Sequence, residues 1–556
     1  MLGPMLRYVG ETQATVWVET DRECLVEILG RQARTFEVAG HHYGLVVLDG
    51  LTPGSEQEYT VTLDGMVRWP LAGHGHPPSV LRTLGGGRPV RLAFGSCRVT
   101  VIAPRNLGRR ARRHGAGSVD ALAACAAALR STPRDRWPDV LLMIGDQVYA
   151  DDPGPVTRQF IAERRGAAAG PPPPVSAAPL GEIADFEEYC ALYREAWGEP
   201  GIRWLFSVIP TAMIFDDHDV HDDWNTSAAW RRDVTALPWW GSRIEGAYQS
   251  YWVYQHLGNL SPAELASDET WGKLGQGGDA ARALADLAHR ADQRAPGIRW
   301  SFRRAFGRVR LVMLDSRSRR VVDGTRLMTD DEEWQWLTES VSGDWAHVVI
   351  ATSVPPLLPR GIHALEAWTE RLADGAWGER AARFGERLRR AVDLEHWPAF
   401  GASFARLERL LTELAAGRPA AHGEPPASVT VISGDVHHSY LAAVDLPGSA
   451  RQERPGKSAV HEVVCSPFHG AMPPRMRFAQ RLASTWACGR AGTIVATLAG
   501  ARAPGMRWRV TAGPWFQNMI AELEFAGTTA RVRFDRAVAD ASGAPRLVAA
   551  AEARLS

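Results

Sequence analysis

The strongest constraint on how this chain folds is a recurring unit: a short apolar run that stops at glycine, serine or aspartate, with a long helical stretch after it. The runs are "RLAFGS", "DVLLMIGD", "TAMIFDD", "VRLVMLDS", "HVVIATS" and "SVTVISGD", and "SVDALAACAAALRS" and "TERLADGAWGERAARFGERLRRAV" are two of the helical stretches. Strands that alternate with helices build α/β sheets. Small, polar and acidic residues at strand ends are where such enzymes place their chemistry. From "RPVRLAFGSC" onward the chain therefore reads as a catalytic α/β unit.

The first part has a different pattern. Residues 5–85 contain "ATVWVET", "CLVEILG", "TFEVAGHHYGLVVLDGL" and "EYTVTLDGMVRW", punctuated by "TPGS" and "LDG" turns. Short strands without helical periodicity predict a small β-sandwich of immunoglobulin or fibronectin type. "LAGHGHPPSVLRTLGGG" reads as a linker, which divides the chain into residues 1–85 and 86–556. A chain of 556 residues also exceeds what one simple core accommodates. The Ala/Pro-rich segment at 164–180 is expected to be an extended or mobile surface insertion. Past residue 505 the pattern is that of closing strands.

The 63 basic residues balance 63 acidic ones. The overall field thus selects neither nucleic acid nor an anionic membrane as the main partner, and any anion selectivity must be local. The basic run "RRARRH" at 109–114 has no interleaved aromatic platform and reads as a solvated face. No apolar run approaches the roughly 20 residues that span a bilayer. The start "MLGPMLRYVGETQATVWVET" has no basic segment followed by an apolar core and no twin-arginine start, so cytoplasmic residence is expected. Cys24, Cys97, Cys125, Cys190, Cys465 and Cys488 stand singly, too sparse for a disulfide framework and suited to a reducing compartment.

Metal-capable groups gather at the strand ends. In "MIGDQVYADD" Gly145 lets the backbone turn, Asp146 emerges at the tip and Tyr149 follows three residues on; an isolated Gly-Asp is more often a helix cap. "SGDVHHSYLA" repeats the form with Asp435, His437 and His438. On an extended chain Asp435 and His437 share a side, and carboxylate with imidazole suits borderline divalent or ferric ions. "FDDHDVHDDWN" at 215–225 packs five aspartates and two histidines into eleven residues, and "RLAFGSCR" brings Cys97 to a fourth tip. Converging carboxylates repel unless cations neutralise them, so a polynuclear metal site accounts for the pattern. For Cys97 an ordinary buried core thiol is the alternative.

In order along the chain, "FGSCR", "GDQVYADD", "DDHDV..DDWN", "LDSRSRR", "ISGDVHHSY" and "SPFHG" resemble the PhoD-like alkaline phosphatase D family of the metallophosphatase, or calcineurin-like, superfamily. The β-unit resembles that family's N-terminal module. The resemblance implies a four-layer α/β/β/α metallophosphatase sandwich behind an N-terminal all-β immunoglobulin/fibronectin-like domain. It places Asp146 as the bridging aspartate, Asp217 and His218 at a ligand and catalytic-histidine pair, and Asp435 and His437 at two later ligand positions. PhoD-like members use a cysteine and a tyrosine on a ferric ion alongside calcium, and by position these are Cys97 and Tyr149. Thiolate and phenolate donors stabilise the higher oxidation state. The superfamily's opening DxH motif is absent, with "GSC" in its place, and "IATSVPP" stands where many relatives offer a later histidine ligand. Fe(3+) with Ca(2+) is the expected pair, and another divalent pair is the alternative.

The implied activity is hydrolysis of phosphate monoesters or diesters by metal-activated hydroxide, without a covalent intermediate. The expected substrate is a small-molecule or lipid phosphoester. His218 is expected to protonate or polarise the leaving oxygen, with Asp219 orienting its ring; packing against the sheet, or service as a ligand, is the alternative. Arg98 and Arg317 have two readings of equal weight: a bidentate hold on substrate phosphate, or salt bridges to the many aspartates. Trp224 is assigned to the pocket lining and most other tryptophans to the core. The rival class is a non-catalytic calcium- or metal-binding protein whose β-domain docks a partner. A calcium scaffold uses oxygen ligands only, so iron held through Cys97 and Tyr149 decides for the enzyme.

Overall fold

The computed structural model describes residues 1–73, 75–100, 118–166, 178–274, 279–418, 420, 422–447, 458–470 and 472–556. The basic run at 109–114 and residues 167–177 of the Ala/Pro-rich segment lie outside them. Residues 164–166 are not extended: they end the helix Pro155–Gly166, where Arg165 reaches the buried Glu188 at 2.7 Å.

The N-terminal part is all β. Leu2–Val9, Ala14–Thr20, His41–Leu48 and Phe36–Val38 form one antiparallel sheet in that order, and Arg31–Arg34, Leu25–Ile28, Val61–Leu63 and Met66–Trp69 form a second. Ala14–Thr20 is buried along its whole length. Its outer face is covered by the rest of the chain: Trp17 lies 5.4 Å from the Tyr254 ring, and Glu19 accepts from Arg194 at 2.5 Å. The segment read as a linker contributes a strand, Val80–Arg82, that pairs with Glu56–Glu58. Its alternation was hidden by the flanking Pro and Gly.

The α/β part holds two sheets. In the first, Thr211–Ile214, Val140–Ile144 and Val90–Gly95 run parallel, and the chain's end completes it antiparallel with Met519–Ala526, Thr529–Ala539 and Pro545–Arg554. In the second, Val309–Leu314, His347–Thr352, Ser428–Ser433 and Ala459–Val464 are parallel. Phe302–Phe306 and Ser439–Asp445 flank them antiparallel, and Arg507–Trp515 pairs antiparallel with Ser439–Asp445 at the edge.

Alternation divides the second sheet's side chains. Leu311, Met313, Val349, Ala351, Ile432 and Val463 join Leu92, Phe94 and Ile144 of the first sheet in one core. Val312, Leu314, Val348, Ile350, Val429 and Val431 join Leu337, Phe404 and Leu411 of the helices in another. Strand polarity then decides where chemistry sits, because the carboxyl ends of both parallel sets project acidic and small residues toward one another. No helix among the described residues is long and apolar enough to cross a membrane.

Candidate metal centre

The tips that carry the candidate residues are tightly turned. Gly145 sits at φ +101°, and a Cβ there would meet Asp216 Cβ at 2.7 Å, so glycine is required on both counts. Cys97, Asp146, Asp435 and His437 all take left-handed φ, between 51° and 66°. Each such residue costs about 1–2 kcal/mol, less for aspartate, and persists where surroundings over-determine it. Those surroundings are visible. Cys97 N–H donates to Gly145 O at 3.2 Å, and Arg98 N–H to Asp146 O at 3.0 Å. Asp435 N–H donates to Ser96 Oγ at 3.0 Å and His437 N–H to Ser466 Oγ at 3.2 Å. Asp435 and His437 therefore do not share one side of an extended strand: the turn sends them to different ligand sets.

Two sets result. Donor atoms of Cys97, Asp146 and His437 lie within 4.8 Å of one another, as do those of Asp146, Asp217 and Asp435, and Asp146 belongs to both. Tyr149 Oη donates to Asp146 Oδ2 at 3.3 Å, which brings its phenol beside the carboxylate the two sets share. Asp146 is wholly buried, and its Oδ1 has no hydrogen-bond partner among the described residues. Burial, and then the Asp216, Asp217 and Asp435 charges against the relief from His218, pushes the Asp146 carboxyl far up. Burial together with Asp146 and Asp435 does the same to the Cys97 thiol, and burial with Asp146 and Cys97 to the Tyr149 phenol. Asp435 goes the other way: burial would raise it, but the His396 and Arg317 cations outweigh burial and hold it below the usual carboxylate range. A centre in which buried Asp146, Cys97 and Tyr149 ionise reluctantly has the electrostatics of a cation site. The mixed thiolate, phenolate, imidazole and carboxylate donors suit a transition-metal ion beside a harder ion.

His218 stands at the mouth of this centre. Its Nδ1–H donates to Asp151 at 2.8 Å, and its ring lies 4.4 Å from that of Tyr149. Burial would depress its pKa, but the Asp151 and Asp217 carboxylates outweigh burial and raise it well above the usual imidazole range. Asp219, expected to orient this ring, is occupied elsewhere. It accepts Asp216 N–H at 2.9 Å and Gln255 Nε2–H at 3.1 Å, and so fixes the strand tip. Orientation falls to Asp151, the first aspartate after "VYA", which also accepts Asp222 N–H at 3.0 Å. Asp151, His218 and Asp222 form a third group of donors within 4.8 Å. His218→Asn is expected to slow turnover about a hundredfold while metal content stays as in the wild type. Parallel rate and elemental measurements check both parts.

Neither arginine reaches an open position. Arg98 Nε donates to Asp120 at 2.8 Å and Nη1 to Ala196 O at 2.5 Å, so it braces the loop behind Cys97. Arg317 is fully buried, paired through Nε with Asp216, through Nη2 with Asp217 at 3.1 Å, and through Nη1 with Glu395 at 2.6 Å. The salt-bridge reading describes both. Trp224 packs between Phe215 and Tyr248, at 5.2 and 5.9 Å, inside the core.

Sequence reading missed His396. It lies in "DLEHWPAF", a short segment whose tryptophan drew attention to packing. Its Nδ1 meets the buried Glu366 at 2.6 Å, and its Nε2 faces Asp435 Oδ2 at 3.2 Å. This carboxylate–histidine–carboxylate relay holds the Asp435 carboxylate in place. A lone histidine outside any strand tip carries no local signal of such a role. His396→Ala is expected to weaken metal affinity about 10–100-fold, read by titration against a competing chelator.

Residues 123–487 match the family described as PhoD-like phosphatase, and residues 1–81 match a domain of unknown function, DUF7800. No curated protein matches the sequence. Among solved structures, one titled "Structure of PhoD" superposes with a TM-score of 0.56 at 12% identity, covering 99% of this chain and 90% of that one. An amylomaltase from Corynebacterium glutamicum reaches a TM-score of only 0.17, at 12% identity over 90% of each chain. It bears on nothing here.

Proposed function

The chain belongs to the PhoD-like phosphatase family, and from that premise we propose that it hydrolyses phosphate monoesters or diesters at the centre built around Asp146. Family and fold support phosphoester hydrolysis in general. The observation that carries the finer reading is the sharing of Asp146 between two ligand sets. Cys97, Asp146, Tyr149 and His437 would hold an Fe(3+) ion, and Asp146, Asp217 and Asp435 a Ca(2+) ion, with another divalent pair as the alternative filling. Bound there, the ions supply positive charge to the phosphoryl oxygens and acidify a water for in-line attack.

The chain's own groups then have separate tasks. Asp151 fixes the His218 tautomer with Nε2 turned away from it. His218 delivers its proton to the departing oxygen. Arg317 carries the charge that lets Asp216, Asp217, Glu395 and Asp435 coexist below the site. Glu366 and His396 hold Asp435 in place. The all-β unit ends near residue 85, a boundary supported by Val80–Arg82 pairing within the N-terminal part and Val90–Gly95 opening the α/β sheet.

Elemental analysis paired with hydrolysis of a generic monoester and diester, before and after chelation, tests the proposal. Iron with calcium in the purified protein and chelator-sensitive turnover of at least one ester are expected. Inertness toward both esters with the metals fully loaded would overturn it and favour the non-catalytic metal-binding reading.

A further inference from the structure

The helices Pro474–Ala483 and Trp486–Leu498 are built inside out for a helical pair in water. The second presses only small residues onto the helix Arg360–Ala373. A Cβ at Gly489 would meet Arg360 Cβ at 2.8 Å, and one at Gly492 would meet Ala364 Cβ at 2.9 Å. Ala496 is the other buried position, with Gly489. The large apolar side chains point outward instead: Phe478 is 69% exposed, Trp486 69%, Ile494 60% and Leu498 74%. The first helix buries no side chain at all among those described. An amphipathic helix of a globular protein has the opposite arrangement, with its large apolar residues on the core side. A concentration of exposed large apolar side chains of this kind marks a partner.

Charge says which partner. The chain as a whole is neutral, but from Val463 to Ala521 it has seven arginines and no acidic residue. Four of them, Arg475, Arg477, Arg481 and Arg490, lie on this helical pair, and none forms an ion pair among the described residues. Arg490 lies over the Trp486 ring at 4.9 Å. Tryptophan and arginine side by side at the edge of an apolar face are the composition of a membrane-interface helix. With 13 residues, the second helix is too short to span and long enough to lie flat. Arg481 also stacks over Phe516 at 5.3 Å, and Phe516 packs on His438 at 5.7 Å, next to the candidate ligand His437. The pair thus connects, through Phe516 and His438, to the segment that carries His437.

We propose that the helical pair 474–498 is an interfacial docking face for an anionic phospholipid bilayer, holding the protein on the membrane surface through Phe478, Trp486, Ile494 and Leu498 with arginines to the headgroups. This goes beyond the hydrolytic reading and does not depend on it.

Sedimentation of the full-length protein with vesicles tests it, using phosphatidylcholine alone and phosphatidylcholine mixed with phosphatidylglycerol. Binding to the anionic vesicles is expected to be at least about tenfold stronger than to the neutral ones, and to weaken with salt. The variant Phe478→Ser/Trp486→Ser/Leu498→Ser changes only side chains already in water, so its circular dichroism and unfolding midpoint should match the wild type while vesicle binding is lost. Arg475→Ala/Arg477→Ala/Arg490→Ala should erase the preference for anionic vesicles. Three outcomes would overturn the proposal: no binding to either vesicle, wild-type binding by the serine variant, or self-association abolished by the serine variant with no lipid binding, which assigns the face to a second copy of the chain.

Discussion

Asp146→Asn is expected to yield a folded protein that retains neither ion and turns over phosphoesters at least about a thousandfold more slowly. The size of the effect follows from position. Asp146 is the residue common to the Cys97–His437 set and the Asp217–Asp435 set, so one substitution removes a donor from both. Asparagine matches the carboxylate in shape and takes away only charge, which separates a ligand role from a packing role. Burial and three neighbouring carboxylates already disfavour the Asp146 anion in the protein alone. The metal-free variant should accordingly be no less stable than the metal-free wild type. The loaded wild type should unfold at a higher temperature than its chelated form, since a ligand that binds only the native state stabilises it. The variant should show no such gap. Wild-type metal content with a wild-type rate in Asp146→Asn would remove Asp146 from the centre.

What the sequence disclosed and what it withheld divide along physical lines. The strand tips were legible because a β-run ending in Gly-Asp or Asp-Asp breaks its own period, and that break is local. Asp146, Asp217 and Asp435 were singled out in this way, and the fold brings their carboxylates within 4.8 Å of one another. The roles of residues around them were not, since they depend on which tip faces which across two sheets. Asp219 and Asp151 lie equally close to the motif in sequence, yet only Asp151 reaches the His218 ring, because Asp219 turns back to accept backbone N–H groups. His396 is 39 residues before Asp435 and meets it only through the fold. The helical pair 474–498 escaped notice for another reason: its exposed face is apolar and its buried face small, so its periodicity reads as ordinary core packing until burial is known.

The largest stability effect belongs to Arg317. Four acidic groups surround its guanidinium: Asp216 at Nε, Asp217 at 3.1 Å, Glu395 at 2.6 Å and Asp435 at 3.8 Å. With the side chain fully buried, little water can screen those acids if the cation is removed. Breaking a buried pair from one side costs about 3–5 kcal/mol, a large part of the 5–15 kcal/mol that typically separates folded from unfolded. Arg317→Ala should thus shift the urea midpoint of the metal-free protein sharply downward. Arg317→Lys should recover only part of the loss, because one ammonium cannot meet four carboxylates lying in different directions. Added metal should narrow the gap between variant and wild type, since ions held by Asp217 and Asp435 neutralise two of the charges that lost Arg317. The two sequence readings of this residue separate cleanly in that experiment. An arginine that grips substrate phosphate would, when replaced, raise KM and leave the unfolding midpoint untouched. An arginine that holds apart the acids beneath the centre would lower the midpoint first and lose activity as a consequence.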